Sequence, residues 1–433
     1  MGPAIFELLG AARSLIFPQS LLRLLHVSLF DSGTRRDKTF VYAPQFGDDN
    51  GEGEALEILK KNLLGHQQEI EFTASQEVLG VLMDMGRTED VKFSPSNRQL
   101  AVVAFAKKKI VVFDVQITAS TSGKSVRLTD AIEITSASLK EPHGLAFIDD
   151  TTIIVANRGG VASILRLPAR GTLDKKVELP ALLTIGGDQA HQLNTPGSVS
   201  VSRIDQNQYE VLICNNYVNY VTRHILEGSD TYVLKNNEIL LSEGLSVPDG
   251  VAVNKDSRWI AISNHDTHSV FLYENTPQLN RHSVPDGILR NVNFPHGVRF
   301  TPDDNFVLVA DAGAPYVNIY EKDGAGWSGV RDPVSTFRVL DERTYRRGRY
   351  NPAEGGPKGI DIDGDMNVLV ATCDHQALAF FDLPTLLKRQ RISMDWRKKS
   401  IGWRAERMRV QLLLRAERTK ARVQRRLRRL IHA

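Results

Sequence analysis

One phrase constrains this chain more than any other. Glu-Pro-His-Gly-Leu-Ala-Phe at residues 141–147 belongs to a series of six related stretches. The others are Thr88-Glu89-Asp90-Val91, Pro196-Gly197-Ser198-Val199, Pro248-Asp249-Gly250-Val251, Pro295-His296-Gly297-Val298 and Pro357-Lys358-Gly359-Ile360. Aligned on Val91, Leu145, Val199, Val251, Val298 and Ile360, the copies lie 54, 54, 52, 47 and 62 residues apart. A period near fifty residues, each unit opening with a turn and continuing in β-type sequence, marks a propeller or an array.

Every unit has the same internal order. The turn leads into a first short strand, then a polar turn such as Asp149-Asp150 or Pro302-Asp303-Asp304-Asn305. A nearly continuous apolar strand follows, as in Ile153–Ala156, Ile260–Ser263 or Val307–Ala310. A third strand ends apolar-aromatic, and a fourth, more polar one precedes the next unit. Four strands per unit make one blade. The expected fold is therefore all-β, a six-bladed β-propeller of four-stranded blades over residues 85–384. Ile70–Phe72 and Val78–Met83 are expected as strands, supplying the outer strand that closes the last blade.

The flanks read differently. Residues 1–84 are expected to hold an apolar helix, a loop and that closing strand. The apolar run over 1–30 is interrupted by Pro18 and Glu7 and has no basic segment before it, so no clear secretory signal is present. A helix packed on the body, an interfacial anchor and a transit segment stay open for it. The acidic loop 47–54 lacks the Glu of a calcium-binding EF-hand, Leu59 standing in its place. Residues 385–433 are rich in helix formers and are expected as a basic helix.

Charge is distributed unevenly. Residues 386–433 hold 17 of the 54 Lys and Arg and three of the 51 Asp and Glu, a net of +14. The remainder carries 37 basic against 48 acidic residues, a net of −11. The tail is expected to pack on the acidic body or to meet an anionic membrane surface, nucleic acid by charge alone, or another acidic partner. No specific nucleic-acid module is visible. The two cysteines, Cys214 and Cys373, leave no disulfide framework and no Cys-x-x-Cys metal site. The expected location is cytoplasmic, with membrane association open.

In a propeller the start of each innermost strand faces the central channel. The residue before the repeated glycine is then a ring position, and that column reads Glu89, His143, Gly197, Asp249, His296 and Lys358. Acids and imidazoles converging on one axis are costly to bury unless a bound cation or mutual pairing neutralises them. A second polar column ends the apolar strands: Asn157, Asn215, Asn264, Asp311 and Thr372. Its members are either turn formers bonded to backbone or, with Lys358, substrate contacts.

Pro142-His143-Gly144 running to Asn157 resembles the second blade of the paraoxonase/arylesterase group. Gly86-Arg87-Thr88-Glu89-Asp90-Val91 resembles that group's first-blade acidic pair. The repeated Pro-Asp-Gly is also similar to SMP-30/gluconolactonase and strictosidine-synthase-like propellers. The likeness covers roughly residues 85–384. It implies a channel Ca²⁺ that polarises a lactone or ester carbonyl, with Glu89 and Asp249 among its ligands and His143 as general base. Two positions depart from the pattern: Gly197-Ser198 replaces the third-blade ligand, and His296 the fifth-blade acid. Imidazole from His296 suits Zn²⁺, Mn²⁺ or Fe²⁺ better than Ca²⁺, which takes about six to eight oxygens. Two functions follow as expectations: a metal-dependent hydrolase of small lactone or ester substrates, or a non-catalytic propeller serving as ligand-binding or interaction scaffold.

Overall fold

The computed structural model describes residues 69–120, 123–186, 192–324, 326–349 and 354–388. The expectations for 1–68 and for the basic helix beyond Lys388 lie outside the described residues.

Six separate sheets follow one another along the chain, in the order the repeat dictates. Blade 1 is Thr88–Phe93, Gln99–Ala104, Lys109–Ser120 and Gly123–Thr135. Blade 2 is Pro142–Asp149, Thr152–Asn157, Val161–Arg166 and Leu183–Gly186. Blade 3 is Pro196–Asp205, Gln208–Asn215, Tyr220–Gly228 and Tyr232–Leu241. Blade 4 is Pro248–Val253, Trp259–Asn264, Ser269–Glu274 and Gly287–Leu289. Blade 5 is Pro295–Phe300, Phe306–Asp311, Tyr316–Glu321 and Ser335–Arg338. Blade 6 is Ile360–Ile362, Val368–Cys373 and Gln376–Asp382, and its outer strand is Glu69–Ile70 from the other end of the chain.

The apolar runs become second strands because both faces of each blade are covered. Thr152–Asn157 and Val368–Cys373 are buried at every position. The core is divided into six clusters, each shared by two adjacent blades. Val103 packs with Leu145 between blades 1 and 2, and Ile154 with Val211 between 2 and 3. Leu212 and Ile262 join blades 3 and 4, and Leu272 and Val309 join 4 and 5. Leu308 and Leu369 join 5 and 6, and Val102 and Phe380 join 1 and 6. Six shared cores for six blades leave no described blade face unpaired, so the ring is closed. Each fully buried aliphatic side chain contributes about 1.5–3 kcal/mol.

Two expectations near the start are corrected. Val78–Met83 is helix, not strand: it lies within α1, Gln76–Asp84. Ser75 caps α1, its hydroxyl accepting from Val78 N at 3.3 Å, and Val78, Val81 and Leu82 pack on the core shared by blades 1 and 6. The i, i+3, i+4 spacing behind a serine cap is a helical pattern. The stretch 70–72 is divided: Glu69–Ile70 pairs with blade 6, and Phe72–Ala74 runs parallel to Gly123–Thr135 of blade 1. The longest spacing, before blade 6, is taken up by α2, Glu342–Gly348, which Asp341 caps by accepting from Thr344 N at 2.8 Å. A short helix α3, Leu383–Lys388, follows the last strand. Among the described residues no helix is long and apolar enough to cross a membrane.

Candidate functional site

The inner strands reach the axis through a shared irregularity. In blade 2 the pairing jumps from Pro142↔Asn157 to Gly144↔Ala156, and in blade 4 from Pro248↔Asn264 to Gly250↔Ser263. Blades 1, 3 and 5 shift register at the same place. A β-bulge re-aims one side chain, and proline, having no N–H, is tolerated at a strand's first residue. The glycine that follows answers a second need, close approach between neighbouring inner strands. A Cβ on Gly144 would lie 2.6 Å from Gly197 O, and one on Gly297 2.6 Å from Lys358 O.

The ring column converges as expected, with Glu89 at its centre. Glu89 Oε2 lies 3.4 Å from His143 Nε2, 3.7 Å from His296 Nε2 and 3.4 Å from Lys358 Nζ. Its other oxygen pairs with Arg87. His296 Nε2 is 3.1 Å from Asp249 Oδ2, and the two imidazoles stack at 5.5 Å. Glu89, His143, Asp249, His296 and Lys358 are each at most 5% exposed, so their charges must be settled within the protein.

They are settled largely by cations that repeat alignment does not reveal. Arg158 Nη2 donates to His143 Nε2 at 2.8 Å and stands 3.7 Å from Asp249 Oδ1. Asn216 Nδ2 donates to Asp249 Oδ1 at 2.6 Å. Glu354, on the return from α2, accepts from Lys358 Nζ at 2.8 Å and faces His265 Nε2 at 3.2 Å. Asp374 stands 3.5 Å from Arg87 and 4.0 Å from Lys358. Four carboxylates (Glu89, Asp249, Glu354, Asp374) therefore face Arg87, Arg158, Lys358 and His265. The signal for three of the newcomers was one column further on: Arg158, Asn216 and His265 each directly follow the terminal Asn of a second strand.

Titration follows this arrangement. Burial pushes Glu89 up, but Lys358, His143 and Arg87 outweigh it and hold the carboxyl at about 2. Burial likewise opposes Asp249, which His296, His143 and Arg158 hold well below the usual carboxylate range. His143 is brought down to about 4, first by burial and then by Arg158. Its Nδ1 sits 2.8 Å from the carbonyl of Gly197; a carbonyl only accepts, so Nδ1 carries the proton and Nε2 the lone pair. His265 moves the other way, to about 9, because Asp266 and Glu354 overcome its burial.

Glu89, His143 and His296 offer ligand atoms within 4.8 Å of one another. Glu89 Oε2 is buried and has no hydrogen-bond partner. Two imidazoles and a carboxylate suit Zn²⁺, Mn²⁺ or Fe²⁺ and fall short of the oxygen count for Ca²⁺. The residues present thus fit a transition metal, and His143 enters the donor group in which Asp249 was expected.

The second column has a different place. Asn157 accepts from Lys140 N at 3.1 Å, Asn215 from Asn194 N at 2.8 Å, Asn264 from Ser246 N at 2.6 Å and Asp311 from Asn293 N at 3.0 Å. In each case the donor lies two residues before the inner-strand proline. These side chains brace the turn into the ring, as Asx side chains do, and are at most 4% exposed. Lys358 is likewise engaged by Glu89 and Glu354. Of the first-blade acidic pair only Glu89 joins the ring. Asp90 accepts from Leu145 N at 3.0 Å and pairs with Lys92. Cys373 and His375 form no nucleophilic pair: burial pushes the Cys373 thiol up to about 12, and His375 Nε2 faces Arg347 O at 3.2 Å. A cleft of about 390 Å³ lined by Ser96, Arg98, Asp150 and Arg166 lies at the opposite end of the strands from the ring.

No protein-family model and no curated protein matches the chain. Among solved structures it is similar to two proteins described as "putative 6-phosphogluconolactonase". The one from Bacteroides fragilis is 12% identical at a TM-score of 0.43, with 68% of this chain and 79% of that chain covered. The one from Bacteroides uniformis is 13% identical at 0.44, covering 65% and 77%. A functionally unknown protein from Desulfotomaculum acetoxidans is 14% identical at 0.44, covering 69% and 83%. Likenesses of this size leave the chain's activity to its own residues.

Proposed function

We propose that the chain is a metal-dependent hydrolase of lactone or ester substrates, working at the axial ring. One observation carries this reading. The buried, hydrogen-bond-free Glu89 Oε2 faces the Nε2 atoms of His143 and His296, so three separate blades present three donors to one point. Glu89, His143 and His296 would hold the cation, which when bound polarises a carbonyl and acidifies water. Asp249 is ionised, and Asn216 and Arg158 hold its Oδ1. Its Oδ2, 3.1 Å from His296 Nε2, would orient the attacking water. Lys358 and Arg158 stand beside the donors and oppose the negative charge that develops on the carbonyl oxygen. The general-base role expected of His143 does not persist in this reading. Its Nε2 accepts from Arg158 and belongs to the donor group, and a pKa brought down to about 4 is far from the operating pH that suits a base.

A second reading, a non-catalytic ligand-binding or scaffold propeller, draws on Arg158 and Lys358. Arg158 already donates to His143 Nε2, and Lys358 approaches the same Glu89 oxygen, so the ring is neutralised without an ion. Elemental analysis after supplementation with Mn²⁺, Zn²⁺ or Ca²⁺ separates the two. The hydrolase reading expects about one metal per chain, lost in Glu89→Ala and His296→Ala and kept in Asp249→Ala. In the last variant, turnover of a lactone and aryl-ester panel should fall roughly 100-fold or more. A parent chain that takes up no metal under any of these conditions favours the scaffold.

A further inference from the structure

Blade 3 brings no side chain to the ring from its inner strand, because the ring position there is Gly197. The space is nevertheless filled. A Cβ placed on Gly197 would lie inside van der Waals contact of Asn216 Oδ1, with Asn216 Cγ 2.7 Å away. Asn216 opens the 3₁₀ turn Asn216–Val218 that follows the second strand of the same blade, and it is fully buried.

The orientation of its amide is fixed by its neighbours. A carboxylate only accepts, so the –NH₂ group faces Asp249 Oδ1 at 2.6 Å and the carbonyl oxygen faces Gly197. Asn216 Oδ1 is buried with no hydrogen-bond partner, an arrangement that is costly unless something bonds to it. The adjacent Asn215 differs. Its Oδ1 accepts from Asn194 N, and its amide donates to Ile213 O at 3.2 Å and Thr222 Oγ1 at 3.2 Å. Of two consecutive asparagines, one is satisfied by the fold and the other is not.

We infer that Asn216 is the third-blade member of the axial ring, a positioning residue that holds Asp249 and presents its amide oxygen as a further donor to the cation. The last part rests on the metal reading above. The missing third-blade ligand is thus replaced from the next loop, and Gly197 is glycine because Asn216 occupies its side-chain space. The carbonyl of Gly197 completes the exchange by accepting from His143 Nδ1 at 2.8 Å. Blade 3 contributes a backbone oxygen to one ring histidine and a side chain to the ring acid.

The test uses the full chain, freed of metal by chelator and titrated calorimetrically with MnCl₂. Asn216→Ala should bind Mn²⁺ at least tenfold more weakly than the parent, and the double variant Gly197→Asn/Asn216→Gly, which returns an amide to the ring from the inner strand, should recover most of the loss. Equal Mn²⁺ affinity in the parent and Asn216→Ala overturns the inference and leaves the metal reading standing. A parent that binds no Mn²⁺ overturns both. Where Asn216→Ala does not fold, the double variant decides: folded with parent-like affinity upholds the exchange, and folded without binding overturns it. In a parallel melting experiment, Gly197→Ala should lower the thermal midpoint in the parent but not in an Asn216→Gly background.

Discussion

His143 and His265 lie within one charged cluster and titrate in opposite directions, because different partners face them. His143 meets the Arg158 guanidinium, and His265 meets Asp266 and Glu354. His143 is neutral when folded, so the unfolded chain binds the extra proton between pH 6.5 and about 4, and stability falls as pH drops through that window. His265 is protonated when folded. Its contribution is fully present below pH 6.5 and is lost as pH rises toward about 9. His265→Gln should therefore flatten the alkaline limb of a urea-denaturation profile measured at pH 5, 7 and 9 and leave the acid limb in place. A variant profile parallel to the parent's would refute the pairing with Glu354. At this scale Glu89, His143, Asp249, His296 and Lys358 were legible, because alignment of the repeats alone names the ring column. Arg158, Asn216, His265 and Glu354 were not, since their roles depend on which way the turn after a second strand, or an insertion, points across the axis. For Asn157, Asn215 and Asn264 the sequence offers two uses, and the fold shows each accepting from the backbone of the turn before its inner strand.

The blades were legible as elements because each second strand is a continuous apolar run with both faces covered. The errors fell at the seam, where α1 replaces an expected strand. Five apolar residues at 78, 79, 81, 82 and 83 fit either period, and the serine cap at Ser75 decides for helix. The seam is also where the ring is joined: Glu69–Ile70 pairs with blade 6, and Phe72–Ala74, two residues later, pairs with blade 1. Ile70 is 8% exposed and pairs in register with Phe380. Ile70→Asp should cost about 2–4 kcal/mol, as expected for deleting a buried side chain and burying a charge. Thr73→Asp, at an exposed strand position, should stay within about 0.5 kcal/mol. Equal midpoints for the two in thermal melts would mean that the joining strand does not hold the ring.

The whole chain combines an acidic body with a strongly basic final segment, and we propose that this segment meets an anionic surface. The chain should co-sediment with phosphatidylcholine vesicles containing phosphatidylserine at low salt, and progressively less as salt screens the attraction. It should ignore vesicles of phosphatidylcholine alone. Binding that is insensitive to salt, or equal on neutral vesicles, would sink the idea. Within the propeller, mass and chemistry are kept apart. The six shared cores lie between blades, while in blades 1 to 5 the ring is reached through register jumps at the very start of the inner strands. A substitution at a ring position can thus alter the charges at the axis without reaching any interblade core. Each blade is in effect a separately addressable slot, and blade 3 shows that a slot left blank by its own strand can be filled from the loop next door.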